Sequence, residues 1–349
     1  MEKEKNENVN ISLLGRIRPV GDYRDEFWLH RSESEKRVST GMLSLDRKLN
    51  GGLADELYIA AAETSTGKSA IMMSIAEAIA KDGTDVLYFA LEMSPDEFIA
   101  RSISSISYRY YLQDSSVRKF TAADILYWSY DEKEQAFTKT SPSLYAPYAE
   151  EYFTDFGTHL HIITGGINGL TVKEIANMAA LWKAQKQKKP VVFIDYLQLI
   201  RSDPDDRSQA DRKTKTDIAV TTLKTLASQV GMPVLTISSV SREKYNGKIG
   251  TASFKESGDT EYTGGVLIGW NWLGVTDTKD SEAIEEEKEA CRQRGYRRMS
   301  FEILKYRNAE RDTAVNLRYY PAYNYFEEES PESSLFGTVP AKKKPVIDV

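Results

Sequence analysis

Short apolar runs alternate along most of the chain with longer segments in which apolar residues recur at helical spacing. An apolar run of about four to eight residues between polar flanks is typical of a strand that is buried on both faces. Such runs occupy residues 57–61, 86–91, 159–164, 191–194 and 233–237. Strands that alternate with helices predict an α/β fold, in which helices flank a mostly parallel central sheet.

Helix starts are visible in the polar residues that flank the helical segments. Ser94 precedes Pro95 and suits the N-cap of a helix, because proline is tolerated in the first helical turn. Further helices are predicted at residues 70–76, 171–188 and 214–230, and a charge-rich solvated helix is predicted at 280–294.

The later part of the chain changes character. Strand-like runs at residues 266–270, 299–304 and 314–319 follow one another without full helices between them. They are expected to extend the sheet as additional antiparallel strands. One domain is therefore predicted from residue 39 to residue 327.

The two ends of the chain are more polar than this domain. Residues 1–38 carry a short apolar stripe at Ile11, Leu14 and Ile17, and they form either a disordered tail or an arm that docks on a neighbouring subunit. Residues 328–349 are predicted to be a disordered tail, since they are rich in proline and lysine and poor in apolar residues.

Composition excludes several classes of protein. The chain has 349 residues, of which 41% are hydrophobic and 28% charged, as in an ordinary soluble domain, and no membrane-spanning run is expected. A single cysteine excludes a disulfide framework and a cysteine-based zinc site within one chain. His159 and His161 alternate in a predicted strand and are expected to be solvated. The charged N-terminus lacks an apolar secretion segment, which fits the cytoplasm.

The net charge of −6 limits how the chain can bind nucleic acid. A protein that coats nucleic acid is usually basic. Any contact with nucleic acid is therefore expected to be local, in loops or in a channel.

The segment A-E-T-S-T-G-K-S at residues 62–69 suits a phosphate-binding P-loop, because a predicted strand precedes it and a predicted helix follows it. Backbone N–H groups from Thr64, Ser65, Thr66 and Gly67 onward would face phosphate oxygens. In the same motif, the Lys68 ammonium would reach the outer phosphates and the Ser69 hydroxyl would ligate Mg²⁺.

Polar residues follow other predicted strands at the same edge of the sheet. Asp195 ends the run 191–194 and suits a carboxylate that binds Mg²⁺, although a strand-end carboxylate can also cap a loop. Glu92 suits a general base that activates water, or alternatively a cap for the helix that Ser94 begins. Lys305 and Arg307 alternate after the run 299–304 and could form a cationic clamp that acts on a neighbouring subunit.

Together these residues resemble the C-terminal motor domain of the DnaB family of replicative helicases, over residues 39–327. L-E-M at 91–93 matches the family's catalytic glutamate motif, and D-Y-L-Q-L at 195–199 matches its Mg²⁺-site motif. K-E-S-G at 255–258 resembles an element of its DNA-facing loop, and K-Y-R-N at 305–308 matches the element whose Lys and Arg reach the neighbour's γ-phosphate.

The resemblance implies a RecA-like P-loop domain in a homohexameric ring, with ATP and Mg²⁺ at the subunit interfaces. It also implies single-stranded DNA in the central channel, and a helicase loader or replication initiator as a partner. The DNA-facing loops would carry the basic residues Arg207, Arg212, Arg242, Lys244, Lys248 and Lys255.

Three departures from the family pattern qualify this interpretation. About 38 residues stand where the family has a helical domain that meets primase, so primase binding is not implied. The family has glutamine where this chain has Ser239, and that glutamine is thought to couple the nucleotide to DNA. The acidic residue expected after the E-S-G element is replaced near residues 263–265. These departures indicate a reduced motor, or one specialised for a mobile element such as a phage or plasmid.

The leading hypothesis is an ATPase that moves along or unwinds DNA during replication. The alternative is a RecA-like ATP switch that scaffolds partners without translocating, which the missing glutamine and the acidic charge favour. A recombination accessory ATPase similar to RadA is a third hypothesis, and the L-E-M and D-Y-L-Q-L motifs argue against it.

Overall fold

The computed structural model describes residues 18–32, 37–131, 135–202, 212–240, 247–257, 265–306 and 313–329. The chain divides into two compact units, residues 1–37 and residues 38–349. In the first unit, a 3₁₀ turn at Val20–Tyr23 leads into helix α1, Arg24–Ser32. The α1 side chains of Phe27, Trp28 and Leu29 are exposed.

The second unit is built on a nine-stranded sheet. Its strands in chain order are β1 Leu57–Ala62, β2 Val86–Ala90, β5 Leu160–Thr164, β6 Val191–Asp195, β7 Val234–Ser239, β8 Val266–Trp272, β9 Arg297–Tyr306, β10 Thr313–Tyr320 and β11 Tyr325–Glu328. Strands β3 (Trp128–Asp131) and β4 (Ala136–Lys139) form a separate antiparallel hairpin.

The spatial order of the large sheet is β11-β10-β9-β8-β1-β7-β6-β2-β5. Neighbouring strands are parallel along the series β8, β1, β7, β6, β2 and β5. Strands β9, β10 and β11 add antiparallel pairs at the other edge, beside β8. The prediction of a mostly parallel sheet with additional antiparallel strands is confirmed. It was wrong for β8, which pairs parallel with β1 and so belongs to the parallel part.

Helices connect the strands and cover both faces of the sheet. They are α2 Leu43–Lys48, α3 Lys68–Lys81, α4 Pro95–Gln113, α5 Ala122–Leu126, α6 Pro142–Phe156, α7 Val172–Lys186, α8 Arg212–Thr225 and α9 Ser281–Arg294. Helix α8 continues as a π-helical turn, Leu226–Gly231. Ser94, Thr121 and Thr171 each begin a helix with a capping box, in which the cap and an acidic residue three positions later satisfy each other's backbone N–H.

The core has two layers, one on each face of the sheet. Along β1, Tyr58, Ala60 and Ala62 pack into one buried cluster, while Leu57, Ile59 and Ala61 pack into the other. Alternate residues of a strand point to opposite faces, so a strand that is apolar at every position must be covered on both sides. The continuous apolar runs in the sequence reflect this burial.

The prediction that the two histidines near β5 are solvated was wrong. His159 lies just before the strand, half-buried, with Nδ1 2.8 Å from the Asp85 carboxylate. His161 is half-buried and packs against Trp182, with 4.4 Å between the ring centroids. Burial lowers the pKa of His161. Both imidazoles thus contribute to packing at this edge of the sheet.

Membrane-spanning helices were not expected from the sequence. Among the residues that the structure describes, no helix is long and apolar enough to cross a membrane.

Candidate nucleotide site

The carboxyl ends of β1, β7, β6 and β2 meet at one edge of the sheet, because these adjacent strands are parallel. Ala62 pairs with Ser239 in the β1–β7 register, and Ala90 pairs with Asp195 in the β2–β6 register. This is the place where open α/β sheets bind ligands. The predicted convergence of the P-loop, Asp195 and Ser239 is therefore present.

The P-loop turns directly from β1 into α3. Gly67 is the N-cap of α3 and has φ +88°, a left-handed conformation that favours glycine. A Cβ atom at this position would lie 2.6 Å from the ring of Tyr319, which is itself buried. Both the backbone angle and the close approach of Tyr319 therefore require glycine here.

Three hydrogen bonds hold the backbone of the loop. The Thr66 hydroxyl donates to the Glu63 carbonyl at 2.8 Å. The Trp270 indole N–H donates to the Thr66 carbonyl at 2.8 Å, and the Arg297 guanidinium donates to the Ser65 carbonyl at 2.6 Å. Trp270 on β8 and Arg297 on β9 were not among the predicted site residues, since nothing in their local sequence indicates contact with a loop more than 200 positions away.

Lys68 opens α3 and lies inside the cluster of strand ends. Its ammonium donates to the Ser239 hydroxyl at 2.9 Å. Burial lowers the pKa of Lys68, against the opposing effect of the Asp195, Glu92 and Glu63 charges. The amine is therefore held in a partly desolvated position, where its attraction to an anion is less screened than in water.

Asp195 is buried at the end of β6, and its surroundings leave one oxygen uncommitted. The Tyr88 hydroxyl donates to Oδ2 at 3.2 Å, while Oδ1 has no hydrogen-bond partner among the described residues. Burial raises the pKa of Asp195 most, and the Glu92 charge adds to this, whereas hydrogen bonding to the Ser69 and Tyr88 hydroxyls and the Lys68 charge oppose it. A buried carboxylate oxygen without a partner is costly unless a cation or water satisfies it.

The donor set fits Mg²⁺ better than a metal held by protein ligands alone. The described residues contain no group of three or more His, Cys, Asp or Glu side chains that could hold a metal ion. Mg²⁺ typically uses only one or two protein ligands and takes the rest from phosphates and water. The Asp195 carboxylate and the Ser69 hydroxyl, adjacent to a phosphate-binding loop, match that pattern.

Glu92 lies two residues beyond β2 and its side chain is exposed. Its charge acts on both Lys68 and Asp195, raising the pKa of each, so the carboxylate lies within electrostatic reach of both groups. The alternative role as cap of the next helix is filled by another residue, because Glu97 accepts hydrogen bonds from the backbone and hydroxyl of Ser94.

Gln198 links the end of β7 to the segment that follows β6, and sequence reasoning did not single it out. Its side-chain N–H donates to the Ser238 hydroxyl at 2.9 Å and to the Ser239 carbonyl at 3.4 Å. The backbone N–H of Ser239 donates to Gln198 Oε1 at 3.2 Å. The amide thus fixes the same Ser239 whose hydroxyl contacts Lys68.

Of the two residues of the predicted cationic clamp, the structure describes only Lys305. Strand β9 extends to Tyr306, so Lys305 lies within the strand, opposite Leu267 of β8, rather than after it. Arg307 lies outside the described residues. The role of either residue at a neighbouring subunit remains a prediction.

The predicted DNA-contacting residues are dispersed. Lys248 is exposed, and its ammonium lies 3.2 Å from the Glu302 carboxylate. Arg212 begins α8, and Lys255 lies in a 3₁₀ helix at Thr251–Ser257. The other three predicted contacts lie outside the described residues: Arg207, Arg242 and Lys244.

Comparison with known proteins places this geometry in a family. A family model of the DnaB-like helicase C terminal domain matches residues 37–128 and 151–328. The unmatched stretch between them, residues 129–150, holds most of the β3–β4 hairpin and the start of α6.

Among curated relatives, the replicative DNA helicase DnaB of Pasteurella multocida (strain Pm70) is 27% identical over 236 residues, covering 66% of this chain and 45% of that protein. DnaB of Geobacillus stearothermophilus is 26% identical, with 71% and 50% covered. A probable plasmid replicative DNA helicase of Chlamydia psittaci is 24% identical, with 75% and 52% covered. The chain spans about half the length of these relatives.

Two solved structures share the fold. One is an isolated ATPase domain, which superposes with a TM-score of 0.66 at 18% identity, covering 88% of this chain and 98% of that chain. The other is a DnaB-like replicative helicase, solved to study its interactions with primase, which gives a TM-score of 0.66 at 19% identity, with 93% and 73% covered. The nine-stranded sheet and its P-loop edge therefore form a RecA-like ATPase fold. Since the family match extends over most of the chain, this protein belongs to the DnaB-like helicase C-terminal domain family.

Proposed function

We propose that this chain is an ATP-dependent DNA helicase or translocase that acts as a ring on single-stranded DNA during replication. The observation that carries the proposal is the buried Asp195 at the strand-end edge of a DnaB-like ATPase fold. Beside Lys68 and Ser69, it presents an oxygen that has no hydrogen-bond partner among the described residues. The likeness to a plasmid replicative helicase supports replication of a mobile element as the setting.

The P-loop would bind the phosphates of ATP. The backbone N–H groups of residues 64–69 would face the phosphates at the N-terminus of α3, where the helix dipole favours an anion. The Lys68 ammonium already contacts Ser239 and has two further N–H donors for the outer phosphates. Three hydrogen bonds, donated by Thr66, Arg297 and Trp270 to carbonyls of the loop, keep it in this shape before a ligand arrives.

Mg²⁺ would be held by the Ser69 hydroxyl and by Asp195, directly or through water. When bound, the ion neutralises charge on the phosphates during transfer. Tyr88 keeps the Asp195 carboxylate oriented by donating to Oδ2, which leaves Oδ1 for the ion.

Glu92 would act as the general base of hydrolysis. Its exposed carboxylate can accept a proton from the attacking water, and its position near Lys68 and Asp195 fits a water aligned with the outermost phosphate. Lys305 and Arg307 would complete the site of a neighbouring subunit, where they would stabilise the charge of the transition state.

The remaining features support an oligomer that encloses DNA. A homohexameric ring would bring the clamp of one subunit to the P-loop of the next, and the basic loops would face single-stranded DNA. The exposed Phe27, Trp28 and Leu29 of α1 suit an arm that docks on a neighbouring subunit. A helicase loader or replication initiator would place the ring on DNA.

The test is ATP turnover by Glu92→Gln, measured with nucleotide affinity on the same protein. Turnover is expected to fall by ~10²–10⁴-fold, because the general base is lost, while ATP affinity is retained. Asp96→Asn is the matched control, since Asp96 is an exposed carboxylate at the start of α4 and should leave turnover unchanged. Wild-type turnover in Glu92→Gln would refute the assignment of the base.

Binding of labelled single-stranded DNA distinguishes the helicase from the ATP switch. Binding should be tightest with ATP, weaken steeply with salt and depend little on sequence. A protein that hydrolyses ATP but does not bind DNA at low salt would instead be an ATP switch that scaffolds partners.

A further inference from the structure

The end of β7 extends past one of the strands beside it. The pairing of β6 with β7 ends at Ile194 and Thr236, whereas β7 continues to Ser239. On the other side of β7, Ser239 still pairs with Ala62 of β1. Among the described strands, the last residues of β7 therefore have a partner on one side only, at the edge of the sheet where the P-loop lies.

The side chain of Gln198 takes the place of the missing strand partner. A carboxamide carries the same kinds of donor and acceptor as a peptide group. Gln198 Oε1 accepts a hydrogen bond from the Ser239 N–H at 3.2 Å, and Nε2 donates to the Ser239 carbonyl at 3.4 Å. Nε2 also donates to the Ser238 hydroxyl at 2.9 Å. The amide thus continues the hydrogen bonding of the sheet to the end of β7.

Gln198 lies in the 3₁₀ turn Leu197–Leu199, which follows β6 and is itself anchored. Leu197 is 2% exposed and packs into one of the two core clusters. The backbone N–H of Leu199 donates to the Tyr196 carbonyl at 3.0 Å, which closes the turn. The turn therefore holds the Gln198 backbone beside the end of β7.

Lys68 contacts both of the segments that Gln198 joins. Its ammonium donates to the Ser239 hydroxyl at 2.9 Å, at the end of β7. The ring of Tyr196, two residues before Gln198, has its centroid 5.8 Å from the same nitrogen, within the range of a cation–π interaction. The bond to Ser239 uses one of the three N–H groups of the ammonium. The direction of the ammonium is thus set by two groups that the Gln198 amide holds together.

We infer that Gln198 is a positioning residue for ATP binding, which orients the Lys68 ammonium through the Ser239 hydroxyl. The inference rests on the proposed function, because it requires that Lys68 bind the outer phosphates of ATP. A lysine side chain has many rotamers, and ordering such a side chain on binding costs affinity. In the free protein Ser239 already restrains Lys68, so part of that ordering precedes the arrival of ATP.

The route from Gln198 to Lys68 is short enough to transmit a displacement. The Ser239 oxygen is separated from the backbone by a single rotatable bond, so the position of the backbone decides where the hydroxyl lies. Gln198 bonds both the N–H and the carbonyl of Ser239. Without the amide, the hydroxyl would lose its fixed position and Lys68 would lose a fixed acceptor.

A double-mutant cycle on ATP affinity tests this inference. Gln198→Met keeps the length of the side chain and removes both hydrogen-bonding groups, and Ser239→Ala removes the hydroxyl. Each variant should bind a fluorescent ATP analogue roughly 3–10-fold more weakly than the wild type, the cost of ordering one long side chain. The double variant should bind no more weakly than either single variant, because both changes remove the same restraint on Lys68. Independent effects would instead multiply to roughly 10–100-fold.

Gln293→Met is the matched control. Gln293 is an exposed glutamine of α9 whose amide bonds Glu289 on the helix surface, so this variant should keep the wild-type ATP affinity. Ser239→Thr retains a hydroxyl and should recover most of the affinity that Ser239→Ala loses. A glutamine that only stabilised the fold would lower the melting temperature in Gln198→Met and leave ATP affinity unchanged.

Wild-type ATP affinity in folded Gln198→Met, or effects that multiply in the double variant, would overturn the positioning role and leave the proposed function intact. A lack of recovery in Ser239→Thr would also overturn it, because the hydroxyl would then not be the group that restrains Lys68. A wild-type protein that binds no ATP would overturn both the inference and the proposed function. If Gln198→Met does not fold, as judged by thermal melting, Gln198→Ala replaces it in the same cycle with the same expected values.

Discussion

At the scale of single residues, two buried carboxylates on neighbouring elements have different roles. Asp195 is 1% exposed and has one oxygen without a partner among the described residues. Glu77 is 5% exposed on α3, nine residues after Lys68, and accepts a hydrogen bond from the Ser102 hydroxyl of α4. Asp195 lies at the strand-end edge, where a cation can satisfy it, whereas Glu77 lies between packed helices.

Glu77 should make the stability of the protein depend on pH. Burial raises the pKa of Glu77 from 4.5 to about 7, against the opposing effects of the Ser102 hydroxyl and the Arg109 charge. Between these values the folded state holds a proton that the unfolded state has released. The contribution of Glu77 to stability is therefore greatest below pH 4.5 and is lost as the pH rises to about 7. For this one group, the difference corresponds to about 3 kcal/mol in the free energy of unfolding.

Urea unfolding at pH 5 and pH 7.5 checks this prediction. Glu77→Gln should remove most of this loss of stability between the two values, because its amide does not ionise. Glu150→Gln, which changes an exposed glutamate of α6, should behave as the wild type does. An unaltered pH dependence in Glu77→Gln would show that this carboxyl does not control it.

At the scale of elements, strands β8, β9 and β10 shape the P-loop. Trp270 of β8, Arg297 of β9 and Tyr319 of β10 all contact residues 65–67. Tyr319 is fixed in turn by stacking on Phe326, with 4.4 Å between the ring centroids. Strands β8, β9 and β10 therefore form one wall of the nucleotide site.

Gly67→Ala tests this wall against a matched control, Gly83→Ala. Both glycines have left-handed backbones, with φ +88° and +86°, but a Cβ at Gly67 meets the Tyr319 ring at 2.6 Å and one at Gly83 meets nothing within 4 Å. Each alanine should cost about 1–2 kcal/mol of stability through its backbone. Only Gly67→Ala should also lose nucleotide affinity, measured by titration with a fluorescent nucleotide. Equal nucleotide affinities in the two variants would contradict a role for Tyr319 in shaping the loop.

At the scale of the whole molecule, the proposed ring predicts that each ATP site is shared between two subunits. Arg307→Ala should be inactive alone because every site lacks the clamp, and Lys68→Ala should be inactive because every site lacks the phosphate-binding ammonium. In an equal mixture, random assortment gives about one interface in four with both groups intact, so part of the ATP turnover should return.

The control is a mixture of Arg307→Ala with the double variant Lys68→Ala, Arg307→Ala, in which no interface regains both groups. Turnover should stay at the level of the separate variants. No recovery in the first mixture, or full activity in a monomer, would contradict a shared site.

Most of the fold and the centre of the site could be predicted from the chain alone. Apolar runs marked β1, β2, β5, β6 and β7, because strands covered on both faces leave a continuous apolar pattern. The direction of β8 could not be predicted, since an apolar run looks the same in a parallel and an antiparallel strand. Likewise, no local signal could show that Tyr88 donates to Asp195, because a tyrosine within an apolar strand is ordinary core packing.

The sequence by itself determined which chemistry is available: a P-loop after a strand, carboxylates at strand ends, and motifs that lie in the order of a DnaB-like motor. Local spacing is enough for this, because each motif is short and contiguous. Only the tertiary structure decided which partners these groups meet. Lys68 meets Ser239, Gly67 meets Tyr319, and Gln198 meets the end of β7. Those distances depend on strand order and helix packing, which bring together residues that the chain keeps far apart.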